Sequence, residues 1–354
     1  MLTSIQKLKI KIMCRGIQIA SAAEQKLTAN GTVPLSLFEY PTTAGISLVL
    51  PGEIYVNAQF SGQFTKSKII LDYNDADKYF LLVDKKKILV RVIPLPAFYN
   101  KKGKRGLYRD IIMSHTDRMR INPIDGCSFT CQYCDAYKEP YKKIPITYLK
   151  EAIDVALNDK NIKPRHLLIS GGTPLKQDQD YLKNVYREIT TFLKKKNVPV
   201  DVMMAPIFEL DFLDQLKKWG VHGLSINLEI FNSKCAAKIN PQKAKLTKKY
   251  YFEFIKRAVE IFGPGRVRSI LLIGLEPLSE TLKGVEKIAS LGSDVVLSPF
   301  VPSPNTPLAK LRPPKEKELF EAYEKAKKIV DKYGVQIGPR CASCQHNTLA
   351  FPME

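Results

Sequence analysis

The chain lacks any long apolar segment. No run of 18 or more apolar residues occurs among its 354 residues, and a transmembrane helix needs about 20. The opening stretch, MLTSIQKLKIKIMCRG, carries charges inside its only apolar part, whereas a secretory signal has an uninterrupted apolar region. We therefore expect a cytoplasmic protein with no membrane partner.

Cysteine and histidine are both scarce, with seven and four residues. Three of the cysteines are grouped in one short stretch, which favours a reducing compartment over a disulfide framework. No fourth cysteine or histidine follows that group at the spacing of a zinc finger. A closed zinc site with four ligands is therefore poorly supported there.

Negative charge falls short of positive charge, with 35 Asp and Glu against 55 Lys and Arg and a formal net charge of +20. Such an excess suits a polyanion such as RNA. However, lysines outnumber arginines 42 to 13 and are spread along the predicted helices, whereas an RNA-binding groove more often mixes arginine with aromatic residues. We favour solvated helix faces and keep a nucleic-acid partner as the alternative.

The grouped cysteines are Cys127, Cys131 and Cys134, with three residues in the first gap and two in the second. A curled loop of this length can turn its thiolates toward one centre. A [4Fe–4S] cluster has four irons and is usually held by thiolates, so three cysteines leave one iron free for another ligand. The spacing predicts a cluster with one open, reactive iron.

This CxxxCxxC motif, with an aromatic residue just before its last cysteine, resembles the signature of the radical S-adenosylmethionine (radical SAM) enzymes. The resemblance implies that the open iron chelates the amino and carboxylate groups of SAM. One electron then cleaves SAM to methionine and a 5′-deoxyadenosyl radical, which removes hydrogen from an unactivated carbon. It also implies that Tyr133 lies near the adenine and that an electron donor such as flavodoxin or ferredoxin reduces the cluster.

Three regions follow from the pattern along the chain. Residues 1–113 contain short segments rich in β-branched and aromatic residues, which predict an N-terminal β-rich domain. Residues 114–310 alternate strands and helices in six units, which predict an α/β fold with a parallel sheet. The resemblance names this region as a partial (β/α)6 radical SAM barrel. Residues 311–354 read as a C-terminal helix and a Cys-containing extension.

Ligands of such barrels lie at the C-terminal ends of the strands. Gly171 and Gly172 end the second strand and let the backbone approach a ligand. Asn227 and Glu229 close the fourth strand, where alternation places them on one face. An ordinary turn at the glycines and a solvated strand end at Asn227 and Glu229 are the alternatives. The resemblance assigns SAM contacts to Gly171, Gly172, Thr173, Asn227, Glu229, Ile273 and Gly274, with Glu276 as a further candidate.

The segments Asn-Leu-Glu, Gly-Leu-Glu-Pro and Leu-Ser-Pro-Phe-Val-Pro most resemble the branch that contains biotin synthase, methylornithine synthase and a hydrogenase maturase. That branch implies a small-molecule substrate and a biosynthetic step such as sulfur insertion or rearrangement. Modification of tRNA or protein is the enzymatic alternative. An iron–sulfur electron carrier or scaffold is the alternative outside catalysis.

A second group of metal-ligand residue types occurs in the C-terminal extension. Cys341, Cys344 and His346 have chelating spacing and offer thiolate and imidazole ligands. Three interpretations remain open: an auxiliary iron–sulfur cluster or zinc site, a thiol that donates hydrogen to the substrate or binds it, and buried structural cysteines. A closed site would need a further ligand that the sequence does not identify.

Overall fold

The fold is that of a computed structural model which describes residues 2–29, 45–61, 64, 66–74, 76 and 78–352. The other residues of the predicted N-terminal domain, and the last two of the predicted C-terminal extension, lie outside the described residues. Within the described ranges, no helix is both long enough and apolar enough to cross a membrane.

The N-terminal part consists of short elements, mostly strands, as predicted. Its helices are α1 (Ser4–Arg15) and α2 (Ser21–Ala29), and its strands are β1 (Gln18–Ile19), β2 (Ile46–Leu50), β3 (Ile54–Ala58), β4 (Ile70–Asn74), β5 (Lys78–Val83), β6 (Lys86–Leu89), β7 (Arg91–Val92), β8 (Lys102–Gly103) and β9 (Gly106–Leu107). One sheet has the order β1-β4-β5-β6 and another the order β3-β2-β7. A capping box between Thr3 and Gln6 begins α1, which satisfies backbone N–H groups that a helix start leaves free.

The remaining elements alternate between strands and helices. They are β10 (Ile112–His115), β11 (Arg118–Ile121), β12 (Ile124–Asp125), β13 (Lys142–Lys143), α3 (Ile146–Leu157), β14 (His166–Ile169), α4 (Gln179–Lys194), β15 (Val200–Met204), α5 (Phe212–Trp219), β16 (Gly223–Ile226), α6 (Ser233–Ile239), α7 (Pro241–Lys245), α8 (Lys248–Phe262), β17 (Val267–Ile273), α9 (Leu278–Ser290), β18 (Asp294–Pro299) and α10 (Glu316–Lys332).

Seven of these strands form the central sheet, in the order β10-β11-β14-β15-β16-β17-β18. The pairs from β11 to β18 are all parallel, and β10 pairs antiparallel with β11. Six parallel strands joined by helices confirm the predicted partial (β/α)6 barrel. Leu167, Leu224 and Leu271 have no exposed surface, since a parallel sheet of this kind is covered on both faces.

The C-terminal extension lies between the two edges of this sheet. On one edge, Leu349 N donates a hydrogen bond to Leu297 O of β18, at 2.9 Å. On the other edge, the ring of His346 stacks on that of His115 in β10, with centroids 5.8 Å apart. Asn57 N of β3 also donates to His346 O, at 2.9 Å. The extension thus connects β18, β10 and β3 across the open side of the partial barrel.

One hydrophobic core passes through all three regions expected from the sequence. It includes Leu8 and Ile12 of α1, Leu167 of β14, and Leu349 and Phe351 near the end of the chain. Strand β10 (Ile112–His115) also crosses the expected boundary at residue 113. The division into domains at residues 113 and 310 therefore stays a prediction.

Candidate functional site

The three-cysteine loop lies at the C-terminal end of the parallel strands, after β11 and β12. Ser128 N donates to Thr173 O at 2.9 Å, and Gln132 N donates to Ile239 O at 2.8 Å. These hydrogen bonds hold the loop between the turn that follows β14 and the end of α6. The position is the one at which barrels of this type bind their ligands.

In the three-cysteine loop, Cys131 is buried, and Cys127 and Cys134 are partly buried. Burial raises the pKa of Cys131 to about 12 and raises that of Cys134 as well. Cys134 N donates a hydrogen bond to Cys131 O at 3.0 Å, so a tight turn brings these two cysteines close together. Phe129 N and Thr173 N lie 3.3 and 3.1 Å from Cys127 Sγ and donate to it. Three cysteines on one short loop, with backbone donors to the sulfur of Cys127, fit the thiolate ligands of a [4Fe–4S] cluster.

The turn after β14 requires its two glycines for different reasons. A methyl group on Gly172 would lie 1.7 Å from Gly126 O, next to Cys127, so this turn packs directly against the cysteine loop. Gly171 has φ of +123°, a conformation that side chains disfavour. A methyl group there would lie 3.5 Å from Asn122 Oδ1. Among the described residues this buried oxygen has no hydrogen-bond partner, so it is available to a bound donor.

Several predicted SAM contacts line one small cavity of about 120 Å³. We call it the Lys243 cavity, and its lining includes Gly171, Gly172, Thr173, Asn227, Glu229 and Lys243. The structure therefore brings the glycine turn and the end of the fourth strand together, and it adds a lysine from α7.

The fourth strand ends earlier than the sequence suggests. Strand β16 stops at Ile226, and Glu229 has φ of 68°, so simple alternation does not relate Asn227 to Glu229. Pairing resumes at Glu229, whose N–H donates to Ile270 O at 2.7 Å. Asn227 is buried, and its Oδ1 accepts a hydrogen bond from Ser225 Oγ at 2.8 Å. The two side chains reach the same cavity through this break in the strand.

Glu229 connects α7 to the cysteine loop. Its Oε2 lies 2.7 Å from Lys243 Nζ and also accepts a hydrogen bond from the hydroxyl of Tyr133. Burial alone would lower the pKa of Lys243, but the Glu229 carboxylate raises it above the ordinary value. Burial, and then the same carboxylate, raise the pKa of Tyr133 well above its ordinary value. At neutral pH the site therefore holds an ammonium group and a neutral phenol on one carboxylate.

A second cavity, of about 270 Å³, lies on the other side of Tyr133. We call it the Phe300 cavity, and its lining includes Tyr133, Cys134, Leu272, Phe300 and the amide residue Asn57 of β3. Tyr133 and Cys134 thus belong both to the cysteine loop and to this cavity. The N-terminal strands and the C-terminal extension contribute to its wall through Asn57 and Asn347.

Three predicted residues lie away from the lining of both cavities. Leu272, rather than Ile273, faces the Phe300 cavity, and Ile273 is buried. Gly274 backs onto Pro314, which a methyl group there would approach to 3.0 Å. Glu276 accepts hydrogen bonds from Phe231 N and Asn232 N, at 3.1 and 2.6 Å, and so stabilises the start of α6.

The C-terminal cysteines lie at the opposite end of the barrel. Ligand atoms of Cys341, Cys344, Asp117 and His166 all lie within 4.8 Å of one another. His346 is not in this group, because its ring stacks on His115 and its Nδ1 lies 3.0 Å from Ser343 O. The expected set of Cys341, Cys344 and His346 is therefore corrected: His166 takes the place of His346, and Asp117 is added.

Sequence reasoning missed Lys243, Asp117 and His166. Lys243 is one of 55 basic residues, and nothing in its local sequence separates it from a solvated lysine. Asp117 and His166 are separated by long stretches of chain from Cys341 and Cys344, so no motif spacing joins them. The sequence indicated only that each lies at or just before the start of a parallel strand, and therefore at the same end of the barrel.

Comparison with known proteins agrees with the site. Residues 121–283 match the family described as the Radical SAM superfamily. Bacteriochlorophyllide c C-7(1)-hydroxylase of Chlorobaculum limnaeum is 27% identical over 247 residues, which cover 64% of this chain and 61% of that enzyme. The chain thus matches less than two thirds of this relative's length.

Two solved structures align with part of this chain, and the first of them shares its fold. The FeFe-hydrogenase maturase HydG from Carboxydothermus hydrogenoformans aligns with a TM-score of 0.50 and 18% identity, over 66% of this chain and 56% of its own. Coproporphyrinogen III oxidase (HemN) from Escherichia coli aligns with a TM-score of 0.45 and 16% identity, over 67% and 58%. The family match includes the cysteine loop, the last residue of β11 and four further parallel strands in full, and it identifies this part of the chain as the radical SAM domain of an enzyme.

Proposed function

We propose that this enzyme holds a [4Fe–4S] cluster on Cys127, Cys131 and Cys134, binds the charged end of SAM in the Lys243 cavity, and removes hydrogen from an unactivated carbon of a small molecule in the Phe300 cavity. The observation that carries the proposal is the position of Tyr133. Its hydroxyl donates to Glu229 of the Lys243 cavity, and it also lines the Phe300 cavity. The two cavities therefore meet at the cysteine loop.

When bound, the cluster and SAM supply a 5′-deoxyadenosyl radical by reductive cleavage of SAM. The residues of the loop would hold the iron, and the N–H groups of Phe129 and Thr173 support the negative charge on Cys127. Because burial raises the pKa of Cys131 and Cys134, these thiols release protons when they bind metal.

The Lys243 cavity suits the charged end of SAM. Asn122 Oδ1 is buried beside Gly171 without a partner in the described structure, and an unpaired buried acceptor costs free energy that a ligand donor recovers. It could accept a hydrogen bond from an ammonium group. Lys243 is the nearby cation, and its contacts with Glu229 Oε2 and with Asn227 O, at 2.7 and 3.3 Å, keep it in place.

The Phe300 cavity suits a small and largely apolar substrate. Its volume of about 270 Å³ lies near the lower end of the usual range for ligand pockets, roughly 300–1,000 Å³. Leu272 and Phe300 supply apolar surface, and Asn57 and Asn347 supply amide groups that could orient a polar substituent.

The relative named as a C-7(1)-hydroxylase supports a reaction at one particular carbon of the substrate. It is 27% identical over part of the chain, so its substrate is not assigned to this enzyme. Sulfur insertion, rearrangement and hydroxylation can all begin with hydrogen removal, and the proposal covers that shared step. It includes a reductant such as flavodoxin or ferredoxin and a cytoplasmic location.

Modification of tRNA is the weaker alternative. Several lysines form exposed ion pairs on helix surfaces, such as Lys325 with Glu321 and Lys327 with Asp331. Pairs of this kind are typical of solvated helix faces.

The test is anaerobic reconstitution with iron and sulfide, followed by addition of SAM and a chemical reductant. Wild type should contain about four irons in the loop cluster and form 5′-deoxyadenosine, and Cys131→Ala should do neither. Cys14→Ala is the matched control, because Cys14 is also a partly buried thiol but lies outside the loop. Normal 5′-deoxyadenosine formation by Cys131→Ala would contradict the proposal.

The substrate cavity needs a separate test. Phe300→Trp should fill the cavity and block product formation, while SAM cleavage without substrate continues. Deuterium transfer from a labelled candidate molecule into 5′-deoxyadenosine identifies the substrate, and Phe320→Trp on α10 serves as a control outside the cavity. Unchanged deuterium transfer in Phe300→Trp would place the substrate elsewhere.

A further inference from the structure

Four side chains with metal-ligand atoms converge at the end of the barrel opposite the cysteine loop. Asp117 lies just before β11, His166 is the first residue of β14, and Cys341 and Cys344 belong to the C-terminal extension. One ligand atom from each lies within 4.8 Å of all the others. These residues come from three distant parts of the chain, so their meeting is a property of the fold.

The distances suit a single metal ion. His166 Nε2 lies 3.1 Å from Cys344 Sγ, and Cys341 Sγ lies 3.7 Å from Asp117 Oδ1. Tetrahedral zinc with bonds of about 2.0–2.3 Å would separate its ligand atoms by roughly 3.3–3.8 Å. The four atoms therefore need only small shifts to surround one ion.

The surroundings hold these ligands in position. Arg165 donates from Nε to Asp117 Oδ2 at 2.9 Å, which leaves Oδ1 directed at the cluster of ligands. Ser343 Oγ also donates to Asp117 Oδ1. Cys344 N donates to Cys341 O at 3.1 Å, which closes a tight turn that brings the two thiols to the same side. Metal ligands are commonly oriented by hydrogen bonds of this kind.

The ligand set indicates zinc rather than an iron–sulfur cluster. A cluster places its thiolates on different irons, so its ligand atoms must spread around a body larger than one ion. Here all four ligand atoms lie within 4.8 Å. Two thiolates, one imidazole and one carboxylate form the mixed set of sulfur, nitrogen and oxygen that zinc accepts in proteins.

We propose that Asp117, His166, Cys341 and Cys344 bind one structural Zn²⁺ ion that fastens the C-terminal extension to the N-terminal end of the barrel. The extension lies across the open side of the barrel, and Leu349 and His346 attach it to β18 and β10. The ion adds a third attachment, to the starts of β11 and β14. Because Asn347 of the same extension lines the Phe300 cavity, the ion supports the shape of that cavity from a distance.

The test is metal analysis of the full chain purified from medium supplemented with zinc and without iron reconstitution. Wild type should carry one zinc per chain. The zinc should be lost in the single variant His166→Ala and in the double variant Cys341→Ser/Cys344→Ser. It should be retained in His346→Gln and in Cys131→Ala. Comparison of His166→Ala with His346→Gln distinguishes the ligand set found in the structure, which contains His166, from the set suggested by sequence spacing, which contains His346.

Cobalt binding is a second measurement of the site that does not require the ligand variants to fold. Cobalt added to metal-free Cys127→Ala/Cys131→Ala/Cys134→Ala protein should give the visible absorption of tetrahedral Co²⁺ with thiolate ligands, and added zinc should remove it. The proposal would be overturned if His166→Ala retained zinc, or if wild type carried no zinc and the triple variant bound no cobalt. It would also be overturned by a Cys341–Cys344 disulfide in place of the metal, or by additional iron that depends on these two cysteines.

Discussion

Lys243 Nζ lies 2.7 Å from Glu229 Oε2, and the two side chains are only 13% and 14% exposed. The same oxygen accepts a hydrogen bond from the hydroxyl of Tyr133, the residue before the last cysteine of the loop. Removing two charges from water is costly, so a buried ion pair is weak support for stability. Its position between α7 and the loop is the basis of the role in SAM binding proposed above.

The first prediction concerns this pair. Lys243→Met should lower SAM affinity at least tenfold, because the Lys243 cavity loses its cation. It should also destabilise the fold by about 3 kcal/mol, since Glu229 is left buried with no charged partner. Equilibrium binding of SAM and denaturant unfolding measure the two effects separately.

A double variant distinguishes binding from folding. Glu229→Gln with Lys243→Met removes both charges, so stability should recover, while SAM affinity should stay low. Lys325→Met removes one member of an exposed pair with Glu321 and should change neither quantity. Recovery of SAM affinity in the double variant would show that the pair acts only in folding.

The second prediction concerns Gly172. The sequence suggests that this residue lets the backbone approach a ligand, but the structure adds a close contact, since a methyl group at this position would lie 1.7 Å from Gly126 O. Gly172→Ala should therefore displace the cysteine loop and reduce both iron content and SAM cleavage after reconstitution. Iron analysis of the folded variant measures the effect.

Gly334→Ala is the control for Gly172→Ala. It places a side chain at φ of +66° but meets no atom within 4 Å. It should cost about 1 kcal/mol of stability from backbone strain and leave iron content unchanged. Wild-type iron in Gly172→Ala would mean that the loop tolerates the contact.

The sequence predicted what depends on local spacing. Cys127, Cys131 and Cys134 lie within eight residues, and alternating apolar segments indicated the parallel strands. These patterns are readable because the residues that produce them are close in the chain. The same reasoning failed at Glu229, where β16 ends early and the backbone takes a left-handed conformation.

Residues that meet only through the fold could not be predicted. His166 and Cys344 are 178 positions apart, yet their ligand atoms lie 3.1 Å apart. His346 has the better local spacing, but the turn at Cys341–Cys344 directs it toward His115. Local spacing identified the two cysteines, whereas the sheet supplied their partners.

The third prediction concerns a partly buried ion pair between β15 and β17, the strands on either side of β16 in the sheet. Arg268 Nη1 of β17 lies 2.9 Å from Asp201 Oδ2 of β15, with side chains 19% and 18% exposed. Burial raises the pKa of Asp201, but Arg268 and His222 lower it by a larger amount, so the pKa lies below its ordinary value. Asp201→Asn should destabilise the fold by about 2–3 kcal/mol at neutral pH.

The pH dependence of this pair has a definite sign. Because the pKa of Asp201 is lower in the fold, its contribution is present above the ordinary value of 3.8 and is lost as the pH falls below it. Asp214→Asn, in the exposed pair with Arg257, should cost less than about 1 kcal/mol. Equal losses in the two variants would argue against a special role for Asp201.

The fourth prediction concerns Lys9, which has no exposed surface. Its Nζ donates to Gln345 O and Ala350 O, at 2.9 and 2.6 Å, so it fastens α1 to the C-terminal extension. Burial lowers the pKa of Lys9 from 10.5 to about 7. Between these two values the unfolded chain binds a proton that the folded chain does not, so the free energy of unfolding should rise with pH over this range.

The rise can be isolated with Lys9→Met, which has an apolar side chain in place of the lysine. The variant removes the lysine donor of Ala350 O, at a cost of about 1–3 kcal/mol, whereas Gln345 O keeps hydrogen bonds from Thr348 N and Thr348 Oγ1. The difference in unfolding free energy between wild type and variant, measured from pH 7 to 9.5, should increase with pH because the other groups titrate equally in both. The two carbonyl acceptors favour the charged amine and oppose the effect of burial, so the increase should stay below the roughly 3 kcal/mol that complete neutrality would give over this interval. A constant difference would show that Lys9 stays charged in the folded protein and that its two hydrogen bonds outweigh its burial.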